Sequence, residues 1–186
     1  NAKNNLDEFI LSKNYLEEKL NTTIFGLRHH YWAYDWKKPY LTYRKHENAG
    51  FRYDLSTAWQ DDIGFKAGTS LPYFPWDPVR KRPIKLYSIN TSIMDGHILL
   101  GNKPKRIKQM EASRLLKETL NENGVAVLDW HTESAINDFC FKNYLDTLED
   151  LLEEVVSGSK FWITTPKILL EHWHERRKKF KSEVVS

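Results

Sequence analysis

The chain has one cysteine, Cys140, so an internal disulfide is excluded, and that scarcity fits a reducing, cytoplasmic compartment. It contains no apolar run near the roughly 20 residues that a helical membrane span needs. A Gly-rich phosphate loop and a Gly-x-Ser-x-Gly nucleophile elbow are both missing, which removes the commonest phosphate-binding and α/β-hydrolase chemistries. Paired cysteines and His-x-x-x-His are missing too, so no zinc site of ordinary spacing can be read. His172 and His174, two apart on a predicted helix, point about 200° from one another. His29 and His30, adjacent in an extended segment, face opposite sides. An excess of one charge is also lacking: 28 basic and 25 acidic side chains leave +3. Much of that surplus lies in the run from His174 to Lys181. Without an RNA- or DNA-binding motif it reads as a solvated helix face, and nucleic acid is not an expected partner. The opening Asn1-Ala2 carries no signal-peptide pattern and suggests trimming or a tag remnant ahead of a leading helix within residues 1–21.

What the chain has in quantity is aromatic side chains, 13% of its 186 residues, including seven Trp and nine Tyr. Its 40% hydrophobic and 28% charged content is that of an ordinary globular protein and suits one domain over residues 1–186. Leu6, Phe9, Ile10, Leu16 and Leu20 recur at helical spacing and predict an opening amphipathic helix. A β-rich stretch, residues 22–27, follows. A short helix is expected from Pro39 to Lys45, closed by Asn48-Ala49-Gly50, and then a strand over Phe51–Asp54. Residues 55–83, rich in Gly and Pro, form a long irregular segment carrying Trp59, Phe65, Tyr73, Phe74 and Trp76. Long loops in compact domains tend to be functional, and these rings either pin the loop or meet a ligand.

Further strands are predicted at Leu86–Met94, Val125–Leu128 and Lys160–Ile163. Helices are predicted at 104–122, 137–156 and from Pro166 onward. Cys140 lies in Phe139-Cys140-Phe141 and reads as a small buried residue. Alternating strands and helices indicate an α/β fold with a parallel sheet. Val125–Leu128, apolar throughout, is expected to be covered on both faces. Three strands end in ionisable residues: Arg28, Asp95 and His131. Where parallel strands gather their carboxyl ends on one face, these three would share a pocket able to hold an anion, fix a tautomer and move protons.

The segment Ile24-Phe25-Gly26-Leu27-Arg28-His29-His30-Tyr31-Trp32 resembles the Gly-x-Arg-x-His-Tyr segment of the polysaccharide deacetylase (NodB-homology) family, in its uncharacterised bacterial branch. Similar blocks follow in order: 49–57, Gly64-Phe65-Lys66-Ala67-Gly68-Thr69-Ser70, Ile93-Met94-Asp95-Gly96, Leu128-Asp129-Trp130-His131, and the tail from Trp162 to Trp173 and Arg176. Together they cover about residues 22 to 180.

The resemblance implies an incomplete, distorted (β/α) barrel missing its first units. It also implies metal-dependent removal of acetyl groups from carbohydrate, with a divalent ion, zinc above all, as cofactor. By position His131 corresponds to the proton donor, Arg28 to the residue orienting the catalytic Asp, and Asp95 to the carboxylate acting on His131. Tyr31, His30, Trp130, Trp59 and Tyr73 would contact the acetylated carbohydrate. Lys66 stands where the family pattern has Arg, which loses a bidentate fork. The family's Asp-bearing strand end and His-x-x-x-His motif are not in the chain, so the metal ligands are not identifiable. A barrel without its first units would expose a sheet edge, and a homodimer or a complementing segment is therefore expected. The alternative is a non-catalytic carbohydrate-binding or protein-interaction module of the same fold.

Overall fold

The computed structural model describes residues 5–100, 103–136, 144–157 and 160–184. Helix α1 spans Leu6–Leu20, as the spacing predicts. The Asn5 side chain accepts from the Asp7 N–H at its start, and Asn21 closes it in the left-handed region. Glu17 pairs with Lys13 one turn back and also accepts from the Ile24 N–H at 2.8 Å, which turns the chain toward the sheet. Phe9 is the buried residue of α1, whereas Leu11, Leu16 and Leu20 face outward. Helix α2, Pro39–Asn48, begins with proline at its first turn, and Gly50 follows it at φ 78°.

Strands β1 (Gly26–Leu27), β2 (Tyr53–Thr57) and β5 (Tyr87–Asn90) form a parallel sheet in the order β1-β2-β5. Between them, β3 (Trp76–Asp77) and β4 (Arg82–Pro83) make a small antiparallel hairpin. The hairpin is organised by the buried Asp77 carboxylate, which accepts from the Arg44 guanidinium and from the N–H groups of Val79 and Arg80. A second parallel pair, β6 (Ile93–Met94) with β7 (Leu128–Asp129), continues from β5. Thr91 and Ser92 hand the ladder across. The Thr91 N–H donates to Thr57 O and its hydroxyl to Leu55 O, while the Ser92 and Ile93 N–H groups donate to Val127 O. Helices α3 (Asp95–Leu99), α4 (Lys105–Asn121), α5 (Tyr144–Ser157) and α6 (Pro166–Val184) complete the chain. Among the described residues no helix is long and apolar enough to cross a membrane.

The chain is therefore mixed α/β with parallel strand pairing, but among the described residues the strands form three small sheets and no closed barrel. Several expected strands are shorter or absent. The stretch 86–94 is split at Thr91-Ser92. Val125–Val127 lies outside the ladder and is only half-buried, because Val125 N–H is taken by Ser70 O and Val127 N–H by the Ser92 hydroxyl. Residues 160–163 form no strand, having no strand partner among the described residues. The Gly/Pro-rich segment, expected to be irregular, holds the end of β2 and the β3–β4 hairpin. Cys140, expected to be buried, lies outside the described residues.

Two apolar cores result. One gathers Phe9, Tyr34, Tyr43, Phe51, Ile84 and Leu86 beneath α1 and α2. The other gathers Ile93, Ile98, Ala112, Leu116, Leu151 and Val155 between β6 and helices α3, α4 and α5. Leu116 is only 1% exposed and Leu11 is 68% exposed. Leu116→Ala is expected to cost about 3 kcal/mol through lost burial and the cavity left behind. Leu11→Ala should stay within about 0.5 kcal/mol of the unchanged chain, as surface truncations do. Urea unfolding followed by circular dichroism measures both.

Candidate functional site

Strands β6 and β7 pair in register, Ile93 with Leu128 and Met94 with Asp129, so their carboxyl ends emerge side by side. Asp95 leaves β6 as the first residue of α3 and is almost wholly buried. Its carboxylate is fixed by the Gly96 N–H at 2.7 Å and by the His131 N–H at 3.3 Å. The His131 ring follows β7, and its Nδ1 lies 2.8 Å from Asp95 Oδ1 and 3.1 Å from Oδ2. A carboxylate only accepts, so Nδ1 carries the proton and donates, which leaves Nε2 as the basic position. The His131 side chain is 38% exposed against 3% for Asp95. A buried acid thus aims an accessible imidazole, an arrangement suited to general acid–base work.

Arg28 follows β1 and reaches across to Asp129, the last residue of β7, at 3.0 Å. Its placement depends on Gly26, which lies directly under the Tyr53 ring of β2. An added Cβ at Gly26 would come within 2.0 Å of that ring. The Arg28–Asp129 pair stands at a cleft of about 630 Å³ that Leu55, Ile89, Trp162 and Trp173 also line. His131 and Asp95 do not line this cleft. Of the three strand-end residues, then, the structure joins Asp95 to His131 directly, while Arg28 is tied to the residue two positions before His131.

The residues expected to touch carbohydrate are dispersed. Tyr31 is 86% exposed, and both Tyr31 and Trp32 hold left-handed backbone, at φ 52° and 48°. Such conformations are costly for bulky residues and tend to occur where a loop is built for a purpose. The exposed His30 ring lies 4.1 Å from that of Tyr31, and the Arg28 guanidinium lies 5.7 Å from the Trp32 ring. Trp130 packs on the second core, and its indole N–H donates to Ser134 O at 3.3 Å, so its polar group is taken internally. Trp59 is 43% exposed, and its carbonyl accepts from Nε2 of the buried His97 at 3.0 Å. Tyr73 lines a different, smaller groove of about 280 Å³ with Phe74, Trp173 and Phe180. For the implied divalent metal, no three His, Cys, Asp or Glu side chains among the described residues converge as ligands. The described residues do not fit that ion.

Sequence reasoning did not find a buried polar chain beneath α1. His29 Nε2 and His46 Nε2 are 2.9 Å apart, and His46 Nδ1 lies 2.6 Å from Asp54 Oδ2. Tyr34 donates its hydroxyl to the same oxygen at 2.8 Å, and the Ser56 N–H donates to Oδ1. Phe9 meets both imidazoles edge-on. The signal was in α2, whose buried face, Thr42, Tyr43 and His46, carries no aliphatic side chain. Burial opposes ionisation of Asp54, yet the His46 hydrogen bond and charge and the Ser56 bonds outweigh it and hold its carboxyl below the ordinary value. Burial first, and then the charge of His46, push His29 down from 6.5 to about 4, against the opposing pull of Asp54.

No protein-family model, curated protein or solved structure matches the chain.

The His29 shift fixes the sign of a pH dependence. The unfolded chain takes up this proton near 6.5, whereas the folded chain resists it down to about 4. Stability from the neutral ring is therefore complete above pH 6.5 and is lost as pH falls toward and through 4. Urea midpoints measured between pH 7.5 and 4.5 are expected to fall steadily. In His29→Gln that dependence should be flatter, though the midpoint at pH 7.5 is lower.

Proposed function

We propose that this chain is the carboxyl-terminal portion of a polysaccharide deacetylase-like domain, an incomplete, distorted (β/α) barrel that acts on acetylated carbohydrate. The observation that carries the reading is the Asp95–His131 pair at the carboxyl ends of two parallel strands, with the free imidazole nitrogen facing outward. The ordered series of family-like segments from Gly26-Leu27-Arg28 to Trp162-Ile163 supports it.

Within this reading His131 supplies the proton that the sugar amine or alkoxide needs when the bond to the acetyl carbonyl breaks. Asp95 acts through His131. It holds the ring in the tautomer whose Nε2 can carry and release that proton, and in the one orientation that faces outward. Arg28, paired with Asp129, joins the end of β1 to the end of β7 and so fixes the rim from which His131 projects. The described residues contain no donor set for the metal, and no step is assigned to one. The group that activates water is assigned to a complementing segment or a second copy of the chain. Exposed apolar side chains such as Trp162, Ile163 and Ile168 favour such an assembly. A single monomeric species across a hundred-fold concentration range in sedimentation would rule out the homodimer. The second reading, a non-catalytic carbohydrate-binding module, is favoured by the half-exposed indoles of Trp36 and Trp59.

Acetate release from acetylated sugar oligomers, with zinc supplied, separates these readings. An active chain should lose about 10²–10⁴-fold in kcat on His131→Asn, the usual worth of a positioned acid. Asp95→Asn should lower kcat with KM unchanged, and Asp95→Glu should restore part of it. Oligomer binding without acetate release, in a preparation that sedimentation shows to be assembled as a homodimer, selects the binding module over a self-complementing enzyme. The absence of both binding and release would overturn the carbohydrate reading altogether.

A further inference from the structure

The loop that follows β2 is fastened to the carboxyl end of β5, to Ser92 just before β6, and to α3. Gly64 N–H donates to Ser92 O, Ala67 N–H donates to the Asn90 side chain, and Asn90 in turn donates to Thr69 O. The buried His97 holds the Trp59 carbonyl, and the Trp59 ring lies 3.8 Å from where a Cβ on Gly64 would stand. The loop is thus anchored beside the element that begins with Asp95. Trp36, on the segment after β1, stacks on Tyr34 at 5.0 Å, and Tyr34 is itself tied to the buried Asp54. Two indoles are therefore held in place from opposite directions.

Between them lies Lys66. Its ammonium stands 3.5 Å from the centre of the Trp36 ring and 5.4 Å from that of Trp59. Trp36 is 40% exposed and Trp59 43%. Lys19, which stands over the Tyr15 ring, pairs with Glu18 at 3.2 Å. Lys66 is half-buried, forms no ion pair with a described carboxylate, and has its pKa lowered by burial. Indole faces attract a cation but leave its charge unneutralised, so the ammonium retains strong affinity for an anion. The Trp59 indole, further from the ammonium, suits the C–H face of a sugar ring.

We propose that Trp36, Lys66 and Trp59 form a binding site for a carboxylate-bearing sugar, a hexuronate unit of an acidic glycan. The sugar ring lies against an indole and its carboxylate meets the Lys66 ammonium. This rests on the carbohydrate reading above and narrows its substrate class to glycans that carry acidic units beside the acetylated ones. The site holds the glycan on the strand-end rim that also bears His131, at a place the proton-transfer chemistry does not use.

The test is a calorimetric and tryptophan-emission titration of the whole chain with three trisaccharides of matched linkage: one of galacturonate, one of neutral galactose, and one of galactose bearing sulfate esters. The galacturonate trimer is expected to bind about ten-fold more tightly than the neutral one at low salt, the worth of one charge-assisted contact. That preference should shrink as salt is raised. Lys66→Met should bring the two affinities together, and Lys66→Arg should keep them apart, with thermal unfolding showing both variants folded. If Lys66→Met does not fold, the uronate preference and its salt dependence in the unchanged chain decide the matter. Equal binding of uronate and neutral sugar, or a preference that survives Lys66→Met, overturns the site while the carbohydrate reading stands. Tighter binding of the sulfated trimer than of the uronate overturns the carboxylate assignment. No binding of any trimer overturns the site and the carbohydrate reading together.

Discussion

Much of the first half of the fold depends on one buried carboxylate. Asp54 sits within β2, wholly enclosed. The His46 ring of α2 lies 2.6 Å from one oxygen, which the Tyr34 hydroxyl of the post-β1 segment also meets, and the Ser56 N–H of its own strand donates to the other. His29 joins through His46, and its backbone N–H is held by the Ser56 hydroxyl. An enclosed charge has no cheap alternative partner, so these elements are committed to one arrangement. Phe9 of α1 closes the cluster with an aromatic edge. Tyr34 carries the constraint outward to Trp36, so one rim indole inherits its position from the interior.

The second half is organised differently. Its core is aliphatic, drawn from α3, α4 and α5, and the acid that matters lies at its margin. Asp95 is buried, yet the imidazole it holds is not. The two halves meet where Thr91 and Ser92 pass the backbone ladder from β2 to the approach of β7, and again through the Arg28–Asp129 pair. Burial of both members of the His46–Asp54 pair gives rigidity beneath α1, whereas burial of one partner and exposure of the other gives chemical access at the β6–β7 rim.

Element types were legible in the sequence wherever a helix carried its own signals. Leu6–Leu20 has its apolar spacing and a capping Asn5, and Pro166 marks the start of α6. Strands were less legible, because in this chain they are two to five residues long and owe their pairing to partners far along the sequence. Val125–Leu128 reads as a covered strand, but a loop carbonyl and a serine hydroxyl take its backbone donors first. Asp95 and His131 could be singled out as strand-end residues. Arg28 could be singled out too, but not its pairing with Asp129. The Asp54 cluster was hidden because His46 looks like a surface histidine on a polar helix until the absence of aliphatics there is noticed. The Lys66 site was hidden because its indoles come from separate segments.

The parallel pairing also bears on how this chain reaches its structure. Gly26 pairs with Tyr53, Tyr53 with Tyr87, and Ile93 with Leu128, so every parallel contact joins residues roughly thirty positions apart. Among the described strand pairs, only the β3–β4 hairpin closes locally. Loop-closure entropy must be met before any main sheet contact stabilises the chain, and β1 cannot find its place until β2 is fixed. Folding of this topology is expected to be slower than that of a chain built from local contacts alone. As the chain emerges from a ribosome, α1 and β1 must wait, partly solvated, for residues synthesised long after them.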